Sequence, residues 1–137
     1  RFYAGKLGRP SICHCRMCQK HFGNFFGALV TADQAHLTWT RGQPSLFRSS
    51  QKIHRGFCNK CGTPLTYHYP GGVEIAIGAF DHPEKIEPQV QVNIHKRMPW
   101  IEQLFSKPAV EQGVDEAEIT SYQHPDHDTA EWPPEER

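Results

Sequence analysis

The sequence predicts a small all-β domain of antiparallel strands joined by turns and short helical segments. Three observations carry that prediction. From about residue 36 to 95 apolar residues recur with a period of two, clusters of Gly, Pro and Asp interrupt the alternation, and no helix-length segment separates successive strands. The last point speaks against a parallel doubly wound sheet. A length of 137 residues suits one core rather than two.

Residues 1–4 read as the end of a strand, and Gly5–Pro10, with two Gly and a Pro, as a turn. Cys15 to about Phe22 reads as one or two helical turns, stopped by Gly23–Asn24. Leu37 and Trp39 then alternate with His36, Thr38 and Thr40. Ile53 and Phe57 flank Arg55 on one face, with Lys52, His54 and Gly56 on the other. Val73, Ile75, Ile77 and Ala79 alternate with Glu74, Ala76 and Gly78, as Val90, Val92 and Ile94 do with Gln91, Asn93 and His95. Turn signals fall at Arg41–Pro44, Pro70–Gly72 and Asp81–Pro88, and Trp100 is expected to pack beneath the sheet. After about Leu104 the alternation stops. The expected organisation is a domain over 1–105 and an acidic tail over 106–137, with a short helix near Val114–Ile119 and a mobile end from His124 through Pro133-Pro134-Glu-Glu-Arg.

Composition narrows the function classes. The 15 basic and 15 acidic residues cancel, but residues 1–105 carry 13 Lys/Arg against 6 Asp/Glu and the remainder 2 against 9. The basic residues are scattered singly except Lys96–Arg97, so no stripe marks a nucleic-acid platform. No apolar run approaches the roughly 20 residues of a membrane helix. The chain opens on Arg1, and no basic-then-apolar leader points to secretion, so a cytoplasmic protein is expected. His124 and His127 with Asp126 or Asp128 could hold a metal, yet on a polar tail they read as solvated residues.

The chemistry is concentrated in five cysteines, grouped as Cys13-His-Cys15-Arg-Met-Cys18 and Cys58-Asn-Lys-Cys61-Gly62-Thr63. An odd count and an i,i+2 pair argue against a disulfide framework. Dithiol redox chemistry fits a C-x-x-C, but usually at a helix start after a parallel strand, and Cys58 sits in a hairpin pattern. Zinc fits better: C-x-x-C followed by Gly forms a turn that aims two sulfurs at one ion about 2.3 Å away. In a flat strand, residues two apart lie about 6.5–7 Å from each other. Cys13 and Cys15 must therefore bend around an ion at a strand end, with Cys18 closing from the first helical turn. Three thiolates leave one tetrahedral position for water, a thiol or a substrate oxygen, unless His14, His21 or a remote side chain closes it.

These clusters resemble the glutathione-dependent formaldehyde-activating enzymes, a family that also includes centromere protein V. The stretches that carry the resemblance are Ile12-Cys-His-Cys-Arg-Met-Cys-Gln-Lys, Phe25-Phe-Gly-Ala-Leu-Val, Arg41-Gly with Phe47-Arg-Ser-Ser, and Arg55-Gly-Phe-Cys-Asn-Lys-Cys-Gly-Thr-Pro-Leu. Val73-Glu-Ile-Ala-Ile-Gly-Ala-Phe-Asp and Lys96-Arg-Met-Pro-Trp100 extend it over most of residues 11–101. The resemblance implies a zinc-stapled Mss4-like β-tent with two zinc ions. Cys13, Cys15 and Cys18 would hold the catalytic zinc, and Cys58 and Cys61 a structural one. In the family an earlier C-x-C completes that second site; no Cys precedes Cys13 here, so two ligands are expected outside this chain.

The activity implied is carbon–sulfur lyase chemistry: joining formaldehyde to glutathione to give S-hydroxymethylglutathione, or the reverse. Arg16, Lys20, Arg48 or Arg55 would meet the carboxylates of glutathione, and His14, His54 and His95 are candidate proton donors. The alternative is a non-catalytic zinc module binding glutathione, a protein or nucleic acid. The residues leave the thiol used and the oligomeric state open.

Overall fold

The computed structural model describes residues 1–134; the last part of the stretch read as mobile, residues 135–137, lies outside the described residues. Strand β1 (Phe2–Ala4) pairs with β4 (Leu37–Trp39) in a small antiparallel sheet. The main sheet has seven strands: β5 (Ser45–Arg48), β6 (His54–Phe57), β7 (Pro64–Tyr69), β8 (Gly72–Ala76), β3 (Gly27–Ala32), β2 (Leu7–Cys13) and β9 (Val90–Val92), in that spatial order. One short helix, α1 (Arg16–Phe22), joins β2 to β3. The all-β architecture is the one expected, and among the described residues no helix is long and apolar enough to cross a membrane.

Three details of the main sheet differ from the expectation, each for a local reason. Gly5–Pro10 is not a turn throughout: β2 already begins at Leu7, and its register against β3 shifts between Leu7 and Pro10. That irregularity accommodates a proline, which lacks the N–H a regular ladder uses. The Pro10 carbonyl still accepts from Gln89 N at 3.0 Å. The run from Val73 leaves the sheet after Ala76, where Ile77–Ala79 turn into a 3-10 segment that keeps Ile77 buried. Finally, β9 runs parallel to β2 rather than antiparallel. A long connection from β8 carries the chain across, as a parallel neighbour requires and a hairpin forbids.

Alternation gives the sheet two different faces. Val30 and Ala32 of β3 and Val73 and Ile75 of β8 point to one side, where with Ile77 they form the core against Phe2, Leu37, Phe80 and Ile86. Fully burying each such Val or Ile stabilises by about 1.5–3 kcal/mol relative to exposure. The residues between them point the other way, toward Cys13, Cys18 and Leu29. Trp100 is not part of the core: it is 39% exposed and meets the Phe25 ring edge-on, centroids 4.6 Å apart. With Pro99 just before it, the indole covers a surface aromatic instead of the sheet.

The acidic segment returns to the body. The Arg1 guanidinium bonds Asp81 and, through Nε at 2.7 Å, Asp128, while Arg41 donates to the Thr129 carbonyl at 2.7 Å. His124 lies against Arg41 with its ring tilted at 43° beside that of Trp132, centroids 4.9 Å apart, and Asp128 is taken up by Arg1. The short helical turn near residue 116 is a 3-10 turn, Glu116–Glu118.

Candidate metal centre

Strand β2 ends on Cys13 and α1 starts just after Cys15, so the triplet straddles a strand-to-helix corner. Cys15 is the helix N-cap: at φ −63° and ψ 152° its sulfur accepts the Cys18 N–H at 3.3 Å. A thiol thus performs the capping usually done by a Ser or Asp oxygen. Gln19, buried, pins the corner by donating to the His14 carbonyl at 2.8 Å and the Lys96 carbonyl at 3.2 Å. Gly23, at φ 58°, ends the helix. At Gly27 a Cβ would lie 2.6 Å from the Phe22 ring and 3.1 Å from Cys18 Cβ, so with the Phe22 ring where it stands β3 approaches α1 this closely only at a glycine.

The result is a triangle of sulfurs. The Sγ atoms of Cys13, Cys15 and Cys18 all lie within 4.8 Å of one another. Three sulfurs about 2.3 Å from one tetrahedral ion stand roughly 3.8 Å apart, so this group could hold a metal ion after a small contraction. Each sulfur has its own N–H donor: Asn93 Nδ2 to Cys13 at 3.3 Å, the Cys18 backbone to Cys15, and the Arg55 fork to Cys18 at 3.5 and 3.6 Å. Donors of that kind are what thiolate ligands require. Among the described residues no His, Asp or Glu joins the triangle as a fourth donor.

In the metal-free protein the thiols share protons unequally. The hydrogen bond from Cys18, with help from Asn93, holds Cys13 down at about 5 against the opposing effect of burial. Cys18 is pushed up correspondingly, first because it donates that bond and second because it is buried.

The triangle faces a cavity of about 670 Å³. Its lining comes from alternate positions of the sheet: Arg9, Ser11 and Cys13 on β2, Leu29 and Thr31 on β3, Tyr67 on β7 and Glu74 on β8. Four of the lining residues form one cross-strand row, since Arg55 pairs Tyr67, Tyr67 pairs Glu74 and Glu74 pairs Thr31. Burial, and then the Cys13 charge, raises the Glu74 carboxyl above the usual carboxylate range. Among the described residues it has no hydrogen-bond or ion-pair partner.

The histidines singled out from sequence are elsewhere. His14 is fully buried, with Nε2 on Gln91 Oε1 at 2.9 Å and its ring edge-on to Phe26. His54 and His95 are exposed and do not line the cavity. Of the four cations considered for anion binding, only Arg55 lines it; Arg16 bonds Gln19, Arg48 bonds the Ser50 and Gln51 carbonyls, and Lys20 is exposed on α1. Glu74, Tyr67 and Asn93 were missed. The signal available for Glu74 was its place as a charged residue on the face opposite Val73 and Ile75 of a strand that is otherwise apolar.

Cys58 and Cys61 form a tight turn at the end of β6. Cys58 N–H donates to the Thr63 carbonyl at 2.9 Å, Gly62 N–H to the Cys58 carbonyl at 2.8 Å, and Gly62 adopts φ 78°. Burial pushes the Cys61 thiol up, but hydrogen bonds led by Thr63 outweigh it and leave the thiol lowered. Among the described residues this pair has no third Cys, His, Asp or Glu close enough to form a cluster. All five cysteines are free thiols.

A family model for the glutathione-dependent formaldehyde-activating enzyme matches residues 4–96, well over half of the chain. The chain belongs to that family. The matched span runs from β1 past β9 and contains both cysteine clusters and the whole cavity lining. No curated protein matches the chain. The family supports an activity connected with glutathione and formaldehyde, and Cys13, Cys15 and Cys18 are a group that could hold a metal ion.

Proposed function

We propose that this member of the glutathione-dependent formaldehyde-activating enzyme family is a zinc-dependent carbon–sulfur lyase, acting on S-hydroxymethylglutathione or a closely related thiol adduct in either direction. One observation carries the reading: three close sulfurs, each with its own N–H donor, face a cavity with no fourth protein donor among the described residues. Zinc is the metal proposed, since three thiolates favour soft or borderline ions. Zinc held by Cys13, Cys15 and Cys18 would deprotonate a thiol at neutral pH.

In the condensing direction a C–S bond forms, the formaldehyde C=O becomes a C–O single bond, and the thiol proton ends on that oxygen. Glu74, unpaired in the cavity wall, is the group proposed to take the proton from the thiol and return it to the developing alkoxide. Arg9, on the same wall, is the cation proposed to meet a glutathione carboxylate. Cys58 and Cys61 are proposed to hold a second, structural zinc with ligands beyond those described, and the reduced thiols suit a cytoplasmic location.

The test is zinc content together with the rate of S-hydroxymethylglutathione formation above the uncatalysed addition. A zinc-loaded protein giving a rate proportional to its concentration supports the lyase; tight glutathione binding with no added rate leaves the non-catalytic module.

A further inference from the structure

Arg55 is only 3% exposed, yet among the described residues no carboxylate pairs with it. Its partners are Ser49 Oγ, reached from Nε at 3.1 Å, the Cys18 sulfur, reached from both terminal nitrogens, and the face of Tyr67, 5.0 Å from the guanidinium carbon. A guanidinium taken out of water without an anion is strongly disfavoured. The atom the fork meets is the Cys18 sulfur, which donates its proton toward Cys13 when no ion is held and becomes a thiolate once a metal displaces that proton, so the arrangement is complementary to the metal-holding form.

Charge explains what such a cation adds. Three thiolates around a divalent ion leave one net negative charge, and a fourth thiolate would make it two. Inside a partly buried cavity like charges repel strongly. A fixed positive charge against one of the resident sulfurs offsets that repulsion. Its place in the cross-strand row, the Ser49 hydroxyl and the Tyr67 ring hold the fork beside the Cys18 sulfur, so the charge is set before any ligand arrives.

We propose that Arg55 is a positioning residue of the metal centre: its fork holds the Cys18 sulfur in place and supplies the counter-charge that lets a small anionic thiol enter as the fourth sulfur. This rests on the reading above that the three cysteines hold zinc and that a thiol is the substrate.

The experiment compares wild type, Arg55→Gln, Arg55→Lys and Ser49→Ala, each metal-loaded. Two readouts are taken: the rate of zinc transfer to a chromophoric chelator, and glutathione affinity from the shift in the visible bands of the cobalt-substituted protein. Arg55→Gln is expected to weaken glutathione binding by about tenfold or more and to speed zinc transfer, the size typical when an outer hydrogen-bond partner of a metal ligand is lost. Arg55→Lys keeps charge but not the fork, so it should recover part of the glutathione affinity while zinc transfer stays fast. Ser49→Ala should speed zinc transfer slightly and leave glutathione affinity near wild type.

A folded, metal-loaded Arg55→Gln protein with wild-type glutathione affinity overturns the proposal. Should Arg55→Gln fail to fold, Arg55→Lys decides, and wild-type zinc transfer in that variant overturns the role of the fork. A wild-type protein whose cobalt spectrum ignores glutathione overturns the underlying reading and the inference with it. A merely structural arginine would shift the melting temperature and neither readout.

Discussion

Asn93 donates its side-chain amide to the Cys13 sulfur at 3.3 Å across 80 residues of sequence, from a backbone held at φ 56°. The left-handed conformation is costly for most side chains and tolerable for Asn and Gly. It ends β9 and turns the amide back onto the neighbouring strand β2. The residue therefore serves two separable ends, a backbone reversal and an N–H donor for a sulfur.

Asn93→Gly and Asn93→Ala separate them. Glycine keeps the left-handed turn and removes only the donor, so thermal stability should stay near wild type while metal affinity falls by about tenfold. Alanine should lose both. Chelator competition alongside thermal melts checks this; equal metal affinity in wild type and Asn93→Gly would show that the amide does not support the sulfur.

Serine at position 15 makes a comparable cut. Because the Cys15 sulfur caps α1, Cys15→Ser replaces one good cap by another while removing a soft ligand. The expected protein is folded, with the helix intact, and lacks one metal. Cys58→Ser should instead lower the folded yield, because closing a structural zinc site is coupled to folding. Metal analysis of the soluble fractions decides it, and two mutants that fold equally well would refute the division of labour.

Much of this was readable beforehand. Alternation announced β4, β6, β8 and β9 but named neither β5 nor β7, and the C-x-C-x-x-C spacing announced a corner with the third cysteine in the first helical turn, where it stands. What stayed hidden depends on strand pairing, which one-dimensional periodicity does not encode. Arg55, Tyr67, Glu74 and Thr31 lie on four strands and become neighbours only through register. His14 drew notice because it stands between two cysteines, but alternation sends consecutive side chains to opposite sides, and its ring is buried against Gln91 and Phe26. Trp100 misled for a different reason, since a large apolar ring can also find cover on a surface aromatic.

The low Cys13 value has a consequence for metal uptake. At neutral pH the triangle without an ion is expected to carry one thiolate already, because the hydrogen bond from Cys18 draws Cys13 well below the usual thiol range. Zinc binding at pH 7 should therefore release fewer than three protons per ion from these cysteines, and the number should rise toward three when the measurement is repeated below pH 5. The sign follows from the shift: a depressed group is ionised above its folded value and gains its proton as pH falls through it. Calorimetry in buffers of different ionisation enthalpy, on Cys58→Ser or on protein already loaded at the second pair, counts the protons. A release of three at pH 7 would contradict the assignment.

Gly27→Ala tests whether close approach of α1 to β3 is needed to shape the triangle. The added methyl would lie 2.6 Å from the half-buried Phe22 ring, which must turn aside, and 3.1 Å from the Cys18 Cβ, which sits on the helix and must give with it. A loss of about 1–3 kcal/mol in stability is expected, together with weaker metal binding, because the collision moves a ligand-bearing turn. Unfolding by denaturant and metal titration measure the two effects. If stability falls but metal affinity does not, the triangle tolerates displacement of the helix.

Glu74→Gln bears on the proton transfer itself. The substitution keeps size and polarity but cannot take a proton, so turnover should fall by about a hundredfold with thiol binding nearly unchanged. Burial is the chief cause of the raised Glu74 value, and it persists whether or not the sulfurs hold an ion. As the base, Glu74 works in its ionised form; wild-type turnover should therefore decline as pH falls through a value above the ordinary carboxylate range. That acidic limb should vanish in Glu74→Gln, leaving a flat, low rate over the same interval. Glu74→Asp, with the carboxylate drawn back by one methylene, should keep the limb at reduced turnover. If Glu74→Gln instead retains both its rate and the acidic limb, the proton passes through another group, and Tyr67, next to it in the same row, becomes the residue to replace.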